Sequence, residues 1–330
     1  METIRSTLDK LASESDSRTS VFDIEIVRLQ NSSLSLSGRL LNKSQLEMLA
    51  NHFSKWKLDT SAIRILDRAD LPRMHVTTNL TGLYEKPTFS VPLSSELCYG
   101  TELEVLDELG NWVFTRQKDG YLGWVYEPYL SEGPAIKATH LVVVSSYGLR
   151  LQPDRESEIV TRVMGGTSVS VEEVRGEWAK VAANRMGWMP LVFLRAVDAL
   201  PGSLEEKRRA LLKNAVRMTG VPYLWGGTTG NGIDCSGFVR LLHQWAGVET
   251  PRDADMQHAA ARPIEPPFEI GDLLFFGESD SDRRITHVGL SLGGWKIIHS
   301  SRARNGVYTD DVQEHESLKQ NFVSAGSFFR

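Results

Sequence analysis

Apolar and polar positions alternate along the first part of the chain in the manner of half-buried strands. Residues 22–30 and 34–41 both follow this alternation, and a turn-rich Asn-Ser-Ser triplet separates them, which predicts a β-hairpin. After Ser44, residues 45–53 place Leu and Phe side chains at helical spacing, so a helix is expected to follow the hairpin. Residues 1–75 are therefore predicted to form a small ββα unit with a charged helical leader. Nothing in this unit indicates a function.

An internal repeat occupies the next part of the chain. Pro87, Gly100, Val105 and Trp112 each recur 66 residues later, and the Gly-Trp pair at 123–124 recurs 64 residues later. Both copies consist of short strand-like runs punctuated by Gly, Pro and Asn, which predicts a small closed β-barrel for each copy. The two predicted barrels span residues 77–134 and 138–198.

The two copies differ in one loop. Trp112 and Gly123 are 11 residues apart in the first copy, whereas the matching residues of the second copy are 9 apart. The longer loop carries Tyr121 at the position that Arg185 occupies in the second copy. Surface loops of repeats often vary without consequence. The alternative is that the first barrel directs an aromatic hydroxyl at a functional site.

The last segment carries the candidate chemistry. An amphipathic helix is predicted from Leu204 to Met218, and a Gly-rich loop then leads to Cys235, which precedes an apolar helical run. The N–H groups and the dipole at a helix N-terminus favour a thiolate over a thiol, so Cys235 is expected to be an activated nucleophile. Cys98 lies in strand-like sequence with no histidine nearby and is interpreted as a small buried apolar residue.

Two histidines downstream are candidate bases for this cysteine. His287 and His299 lie on two predicted strands that a Gly293-Gly294 turn joins, at nearly equal distances from the turn. Such positions can be neighbours across an antiparallel pair. Cys235, His287 and His299 would then form a nucleophile, a base and a residue that orients the base. Zinc ligation by the same three residues is an alternative, although no fourth ligand accompanies them.

Composition and charge exclude several classes of protein. The chain has 330 residues, 41% hydrophobic and 24% charged, which is typical of a globular chain of two or three domains. Its 37 basic and 42 acidic residues give a net charge of −5, and without a dense basic run nucleic-acid binding is not expected. No apolar run approaches the roughly 18–20 residues that cross a bilayer, and the first residues show no signal-peptide pattern. A cytoplasmic protein that binds no membrane is predicted.

The motifs of the last segment resemble those of NlpC-type papain-like cysteine peptidases, which act on bacterial cell-wall peptides. The matching stretches are PYLWGG at 222–227, DCSGF at 234–238, PRDADMQ at 251–257, THVGL at 286–290 and IHSS at 298–301. The repeated units resemble bacterial SH3-like domains, and their combination with such a peptidase resembles the γ-D-glutamyl-L-diamino acid endopeptidases. The resemblance implies an α+β multidomain protein in which a papain-like catalytic domain at 199–330 follows the ββα unit and the two barrels.

The resemblance also implies roles for individual residues. The nucleophile, base and orienting residue fall on Cys235, His287 and His299, and Tyr223 would help the Cys235 N–H to bind the oxyanion. The substrate-binding positions that it implies are Asp234, Ser236, Trp225, Asp253, Tyr121 and Glu96. The family often has Ser where this chain has Ala254. Neither a cofactor nor a metal is implied.

The expected activity is hydrolysis of the amide between γ-D-Glu and an L-diamino acid in murein peptides with a free N-terminal L-Ala, in cell-wall recycling. The first barrel would close the cleft beyond the L-Ala, with Tyr121 and Glu96 near its ammonium. Two alternatives are a non-catalytic protein that binds cell wall through its SH3-like units, and a papain-like acyltransferase or amidase with another substrate.

Overall fold

The computed structural model describes residues 2–199, 201–277 and 284–329 of the chain. The N-terminal unit is a three-stranded sheet with two helices. Its elements are α1 (Glu2–Ser13), β1 (Phe22–Gln30), β2 (Ser33–Leu40), α2 (Lys43–His52) and β3 (Lys57–Ile65). The central strand β2 runs antiparallel to β1 and parallel to β3. Since parallel neighbours need a crossover, α2 connects β2 to β3. The predicted hairpin and helix are present, and the third strand completes the sheet.

Helix α2 begins earlier than predicted. The Asn42 side chain accepts a hydrogen bond from the Gln45 backbone N–H at 3.1 Å, and the Gln45 side chain accepts one from the Asn42 N–H at 3.1 Å. This capping box satisfies N–H groups that would otherwise lack partners. Asn42, rather than Ser44, therefore caps the helix.

The two copies of the repeat fold into barrels with the same strand order. The first barrel contains β4 (Arg73–Val76), β5 (Leu80–Tyr84), β6 (Leu93–Cys98), β7 (Glu102–Leu109), β8 (Trp112–Arg116), β9 (Leu122–Tyr126) and, after a short 3₁₀ turn, β10 (Leu130–Glu132). The second contains β11 (His140–Val142), β12 (Ser146–Arg150), β13 (Ile159–Met164), β14 (Ser168–Arg175), β15 (Trp178–Ala182), β16 (Gly187–Pro190) and β17 (Leu194–Ala196). The neighbours are β10-β4-β7-β8-β9-β5-β6 in one and β17-β11-β14-β15-β16-β12-β13 in the other. The first barrel includes β4, which lies before the boundary predicted at residue 77.

The C-terminal unit is a helix-covered antiparallel sheet. It contains α3 (Leu204–Arg217), β18 (Thr228–Thr229), β19 (Gly232–Ile233), α4 (Cys235–Trp245), α5 (Ala254–Ala260), β20 (Arg262–Ile264), β21 (Leu273–Gly277), β22 (Ile285–Ser291), β23 (Lys296–Ser301), β24 (Gly306–Asp311), α6 (Glu316–Asn321) and β25 (Phe322–Ser327). Its six-stranded sheet has the order β20-β25-β21-β22-β23-β24. The α+β multidomain fold that the motifs imply is confirmed.

Helix α4 lies in the main core of this unit. Its apolar side chains, among them Phe238, Val239 and Leu242, are fully buried against α3 and the sheet. A helix that is apolar on nearly all sides is stable only when it is covered on nearly all sides. The first turn of α4 is thereby held firmly against β22. No helix in the described part of the chain is long and apolar enough to span a membrane.

Candidate active site

Cys235 is the first residue of α4, as the sequence predicts. Asp234 caps the helix, because its Oδ1 accepts a hydrogen bond from the Gly237 N–H at 2.7 Å. The Cys235 side chain is buried, and the backbone N–H groups of Val288 and Ser236 act to lower the pKa of its thiol. Val288 directly follows His287 on β22, so the N-terminus of α4 lies against the strand that carries the predicted base.

The predicted lowering of the pKa of Cys235 is wrong. Burial raises the pKa of the thiol to about 12, and the negative charge of Asp234 acts in the same direction. The N–H donors from Val288 and Ser236 act to lower it, but they do not offset the loss of hydration. Cys235 therefore rests as a neutral thiol, and it must lose its proton to a base at the moment of attack.

The two predicted histidines contact each other. Strands β22 and β23 pair at Leu290 with Ile298 and at Ser291 with Ile297, and the rings meet further from the turn, where His287 Nε2 lies 2.7 Å from His299 Nδ1. Burial and the neighbouring His299 lower the pKa of His287 to about 3, so its imidazole is neutral at neutral pH. A neutral imidazole can accept the proton of the thiol.

A carboxylate that the sequence analysis missed completes this chain of hydrogen bonds. Asp310, at the end of β24, places Oδ2 2.9 Å from His299 Nε2, and Arg304 donates to its other oxygen, Oδ1. Burial lowers the pKa of His299 despite the opposing effect of Asp310. The signal in the sequence is weak, since Asp310 is one of several acidic residues after IHSS.

The carboxylate determines where the protons lie. An ionised carboxylate only accepts, so His299 carries its proton on Nε2 and donates it to Asp310. His299 Nδ1 must then accept from His287 Nε2–H, which leaves His287 Nδ1 unprotonated. This is the ring nitrogen that is available to take the proton of Cys235.

Tyr223 lies near the nucleophile on the loop before α4. It is half-buried and forms a bridge to Ile233, two residues before Cys235. Burial raises the pKa of its hydroxyl to about 12, and the negative charge of Asp234 acts in the same direction. The phenol therefore keeps its proton and can donate to an oxyanion, which is the role that the resemblance implies.

Asp234 and Ser236 are held by a buried arginine. Arg252 donates from Nη2 to Asp234 Oδ2 at 2.7 Å, and from Nη1 to Asp234 Oδ1 and to Ser236 Oγ, both at 3.1 Å. Asp234 Oδ2 also accepts from the Gly226 N–H at 3.0 Å. The observed contacts of Asp234 and Ser236 are thus internal and fix the start of α4. Their contact with substrate stays a prediction.

The first barrel packs against the peptidase unit close to the start of α4. Arg252 Nε donates to Ser95 Oγ on β6 at 3.1 Å, and Glu96 Oε2 accepts from the Thr228 N–H at 2.7 Å. Gly226 has a φ of +76°, and a Cβ there would lie 2.3 Å from the Leu93 carbonyl oxygen. Only glycine allows this approach of barrel and loop. Burial also raises the pKa of Glu96.

The longer loop of the first barrel reaches the peptidase unit too. The Tyr121 hydroxyl donates to Asp253 Oδ2 at 3.0 Å, and Asp119 forms an ion pair of 2.7 Å with Arg240 on α4. Burial, followed by the charge of Asp253, raises the pKa of Tyr121. The structure therefore brings Tyr121 and Asp253 together. The contact of either residue with substrate stays a prediction.

Two further sequence predictions concern Trp225 and metals. The Trp225 side chain is 62% exposed, and its contact with substrate stays a prediction. Among the residues that the structure describes, no group of three or more His, Cys, Asp or Glu side chains is arranged to hold a metal ion. Both ring nitrogens of His299 form hydrogen bonds, Nδ1 with His287 and Nε2 with Asp310.

A buried thiol, a general base and a hydroxyl donor are the parts of a cysteine peptidase, and comparison with known proteins gives the same class. The signature of the NlpC/P60 family matches residues 220–326, and that of the bacterial dipeptidyl-peptidase SH3 domain matches residues 83–127. The γ-D-glutamyl-L-lysine dipeptidyl-peptidase of Bacillus subtilis (strain 168) is 30% identical over 242 residues, which cover 68% of this chain and 79% of that protein. The chain belongs to the NlpC/P60 family of cysteine peptidases.

Other relatives agree with this membership. Dipeptidyl-peptidase 6 of Lysinibacillus sphaericus is 26% identical over 278 residues, 77% of this chain and 98% of that protein. A solved structure of an NlpC/P60 family protein from Bacillus cereus ATCC 10987 covers 78% of this chain and 100% of its own, with a TM-score of 0.68 at 20% identity. This structural likeness supports the fold.

Proposed function

We propose that the chain hydrolyses the amide between γ-D-Glu and the L-diamino acid of murein peptides that begin with a free L-Ala. The observation that carries the proposal is the contact of the first barrel with the cleft, where Tyr121 donates to Asp253 beside the nucleophile's helix. The Bacillus subtilis relative and a second relative from Bacillus cereus (strain ATCC 10987), 26% identical over 246 residues, are both γ-D-glutamyl-L-lysine dipeptidyl-peptidases, which supports the same bond.

The reaction follows from the proton positions. Cys235 Sγ attacks the γ-carbonyl carbon while its proton passes to His287 Nδ1. The oxyanion is bound by the Cys235 N–H and the Tyr223 hydroxyl. The tetrahedral species collapses when His287 gives the proton to the leaving amine, which leaves the L-Ala-γ-D-glutamyl thioester. A water that loses a proton to His287 then attacks the thioester, and His287 returns that proton to the sulfur.

A closed cleft explains the requirement for a free L-Ala. A buried ammonium needs carboxylates or an aromatic oxygen nearby, and Asp253, Glu96 and Tyr121 are the candidates at this end. An acyl group on the amine would remove the charge and add volume. Peptides attached to the glycan lack a free amine, so released turnover fragments would be the substrates. On this ground we place the enzyme in cytoplasmic recycling, which fractionation of cells with an antibody to the chain would test.

The substrate assignment is tested with defined peptides. Wild-type protein is incubated with L-Ala-γ-D-Glu-L-Lys, with the diaminopimelate analogue, and with each peptide N-acetylated, and Cys235→Ala serves as the blank. We expect mass spectrometry to find the L-Ala-D-Glu dipeptide from at least one free peptide and a large loss of turnover on acetylation. Unchanged turnover of the acetylated peptides would contradict the closed cleft. Absence of the dipeptide in all reactions would contradict the proposed substrate.

An acyltransferase would form the same thioester, but an amine instead of water would attack it and take the acyl group from the sulfur. Adding an amino acid amide to the reaction and searching for the corresponding acylated product distinguishes the two. We expect the free dipeptide to remain the main product.

A further inference from the structure

An arginine of the N-terminal unit reaches the substrate-binding end of the cleft. Arg18 lies between α1 and β1, and its side chain is 28% exposed. Its backbone carbonyl accepts a hydrogen bond from the Leu122 N–H at 2.7 Å. Leu122 directly follows Tyr121, so the N-terminal unit is fixed to the first barrel next to the tyrosine that touches Asp253.

The Arg18 guanidinium engages three carboxylates at once. Its Nη1 donates to Asp253 Oδ2 at 2.9 Å and to Asp255 Oδ1 at 2.8 Å. Its Nη2 donates to Asp255 Oδ2 at 2.6 Å and to Asp16 Oδ2 at 2.7 Å, and Nε donates to Asp16 Oδ1 at 2.9 Å. All five N–H groups are used, in a planar arrangement that a lysine cannot reproduce.

These bonds fix the orientation of the Asp253 carboxylate. Its Oδ2 accepts from both Arg18 and Tyr121. Its Oδ1 lies 3.8 Å from Arg252 Nη1 and accepts no hydrogen bond from the described residues. One oxygen is thus committed to the protein and the other is available to a ligand. Without Arg18, only the Tyr121 hydroxyl would hold Oδ2, and Arg252 would be the remaining cation near the carboxylate.

The local charge still favours a cation. Arg18 and Arg252 face the four carboxylates of Asp16, Asp234, Asp253 and Asp255, and Arg284 also acts on Asp16, so the negative charges outnumber the positive ones by one. Arg18 therefore orders Asp253 without neutralising its surroundings. A substrate ammonium near Oδ1 would restore part of the missing positive charge.

We propose that Arg18 is a positioning residue for recognition of the substrate's N-terminal ammonium, because it fixes Asp253 with Oδ1 directed to the ligand. This inference rests on the proposed function, since it assumes a substrate with a free amine. It gives the N-terminal unit a role in specificity. The arginine acts through Asp253 and touches no reacting atom.

The test compares Arg18→Ala with wild type on the free and the N-acetylated tripeptide. We expect KM for the free peptide to rise about ten- to a hundredfold with kcat nearly unchanged, while kcat/KM for the acetylated peptide does not fall. The preference for the free amine would therefore shrink. Arg18→Lys, which keeps the charge but not the planar fork, should restore only part of it.

The matched control is Arg39→Ala. Arg39 also joins the N-terminal unit to the first barrel, through Asp107 at 3.4 Å, but it is not bonded to Asp253. This control should keep the wild-type preference. If Arg18→Ala does not fold, Asp255→Asn replaces it, since it weakens the same network and should reduce the preference in the same direction.

Three results overturn the proposal. An unchanged preference in Arg18→Ala, or an equal loss of kcat on both peptides, would show that Arg18 has no effect on recognition or only supports the fold. An equal change in Arg39→Ala would show a general effect of the unit. If wild type itself makes no distinction between the peptides, the closed-cleft part of the proposed function fails first, and this inference fails with it.

Discussion

Replacement of Asp310 by Asn tests whether the carboxylate sets the proton positions of the two histidines. Arg304 donates to Asp310 Oδ1, so an Asn side chain would turn its carbonyl oxygen to Arg304 and its NH₂ group to His299. His299 Nε2 would then have to accept, and its proton would move to Nδ1. His287 Nε2 would then have to accept from His299 Nδ1–H, so the proton of His287 would move to Nδ1, the atom that must receive the proton of Cys235.

The expected size of the effect follows from one hydrogen bond. The Asp310 side chain is only 7% exposed, and a hydrogen bond to a charged group is worth about 1.5–3 kcal/mol. Since about 1.4 kcal/mol corresponds to a factor of ten in rate, kcat should fall about 10- to 100-fold. The loss should be smaller than the roughly 10⁴-fold effect of the carboxylate in serine proteases, because Asp310 is one residue further from the base.

The assay is kcat for dipeptide release by wild type, Asp310→Asn, Arg304→Ala and the double variant. Arg304 is 46% exposed, so its loss alone should cost about threefold or less. In the double variant the Asn can turn back, and part of the rate should return. An Asp310→Asn protein that folds with unchanged kcat would refute the reasoning, and a double variant no better than the single one would refute the role given to Arg304.

Three other predictions concern titration and the oxyanion. Because burial raises the pKa of Cys235, its alkylation by iodoacetamide in a Cys98→Ser background should accelerate from pH 7 to 9, and a rate that is flat from pH 5 to 8 would instead reveal a preformed ion pair. Tyr223→Phe removes an oxyanion donor and should lower kcat about 100-fold or more with little change in KM; an unchanged kcat in steady-state kinetics would argue against that role. Burial lowers the pKa of His243 to about 4, below its unfolded value of about 6.5, so this residue's contribution to stability is complete above pH 6.5 and is lost as the pH falls towards 4. Urea unfolding at pH 7.5 and 5 should show a loss of about 2 kcal/mol that His243→Leu lacks, and equal losses in both proteins would contradict it.

The sequence contained enough information for the barrels and for the start of α4. The repeat predicted two equivalent barrels because residues such as Trp112 and Trp178 occupy matching strands, and the apolar run after Cys235 marked a helix buried in the core. Local pattern was less reliable at boundaries. The pattern of residues 268–277 favours one continuous strand, whereas β21 covers only Leu273–Gly277, since Gly271 adopts a φ of +89° in a turn.

Contacts between distant residues could not be predicted from the sequence. Arg18 meets Asp253 across 235 positions, and no local pattern distinguishes it from other surface arginines. Asp310 acts through the ring of His299, with which it forms a hydrogen bond. This contact depends on the pairing of β24 with β23, which the sequence does not show. The pKa of Cys235 was predicted in the wrong direction because the helix N-terminus is visible in the sequence, whereas the extent of burial is a property of the folded chain.

Transfer of the Cys235 proton to His287 during attack on the γ-glutamyl carbonyl is the central claim, and the rate of dipeptide release from L-Ala-γ-D-Glu-diamino acid peptides measures it most directly. The account predicts that Cys98→Ser releases the dipeptide like wild type, while Cys235→Ser and His287→Ala are slower by at least about 10⁴-fold. Dipeptide release by folded Cys235→Ser or His287→Ala at a rate near that of wild type would contradict it.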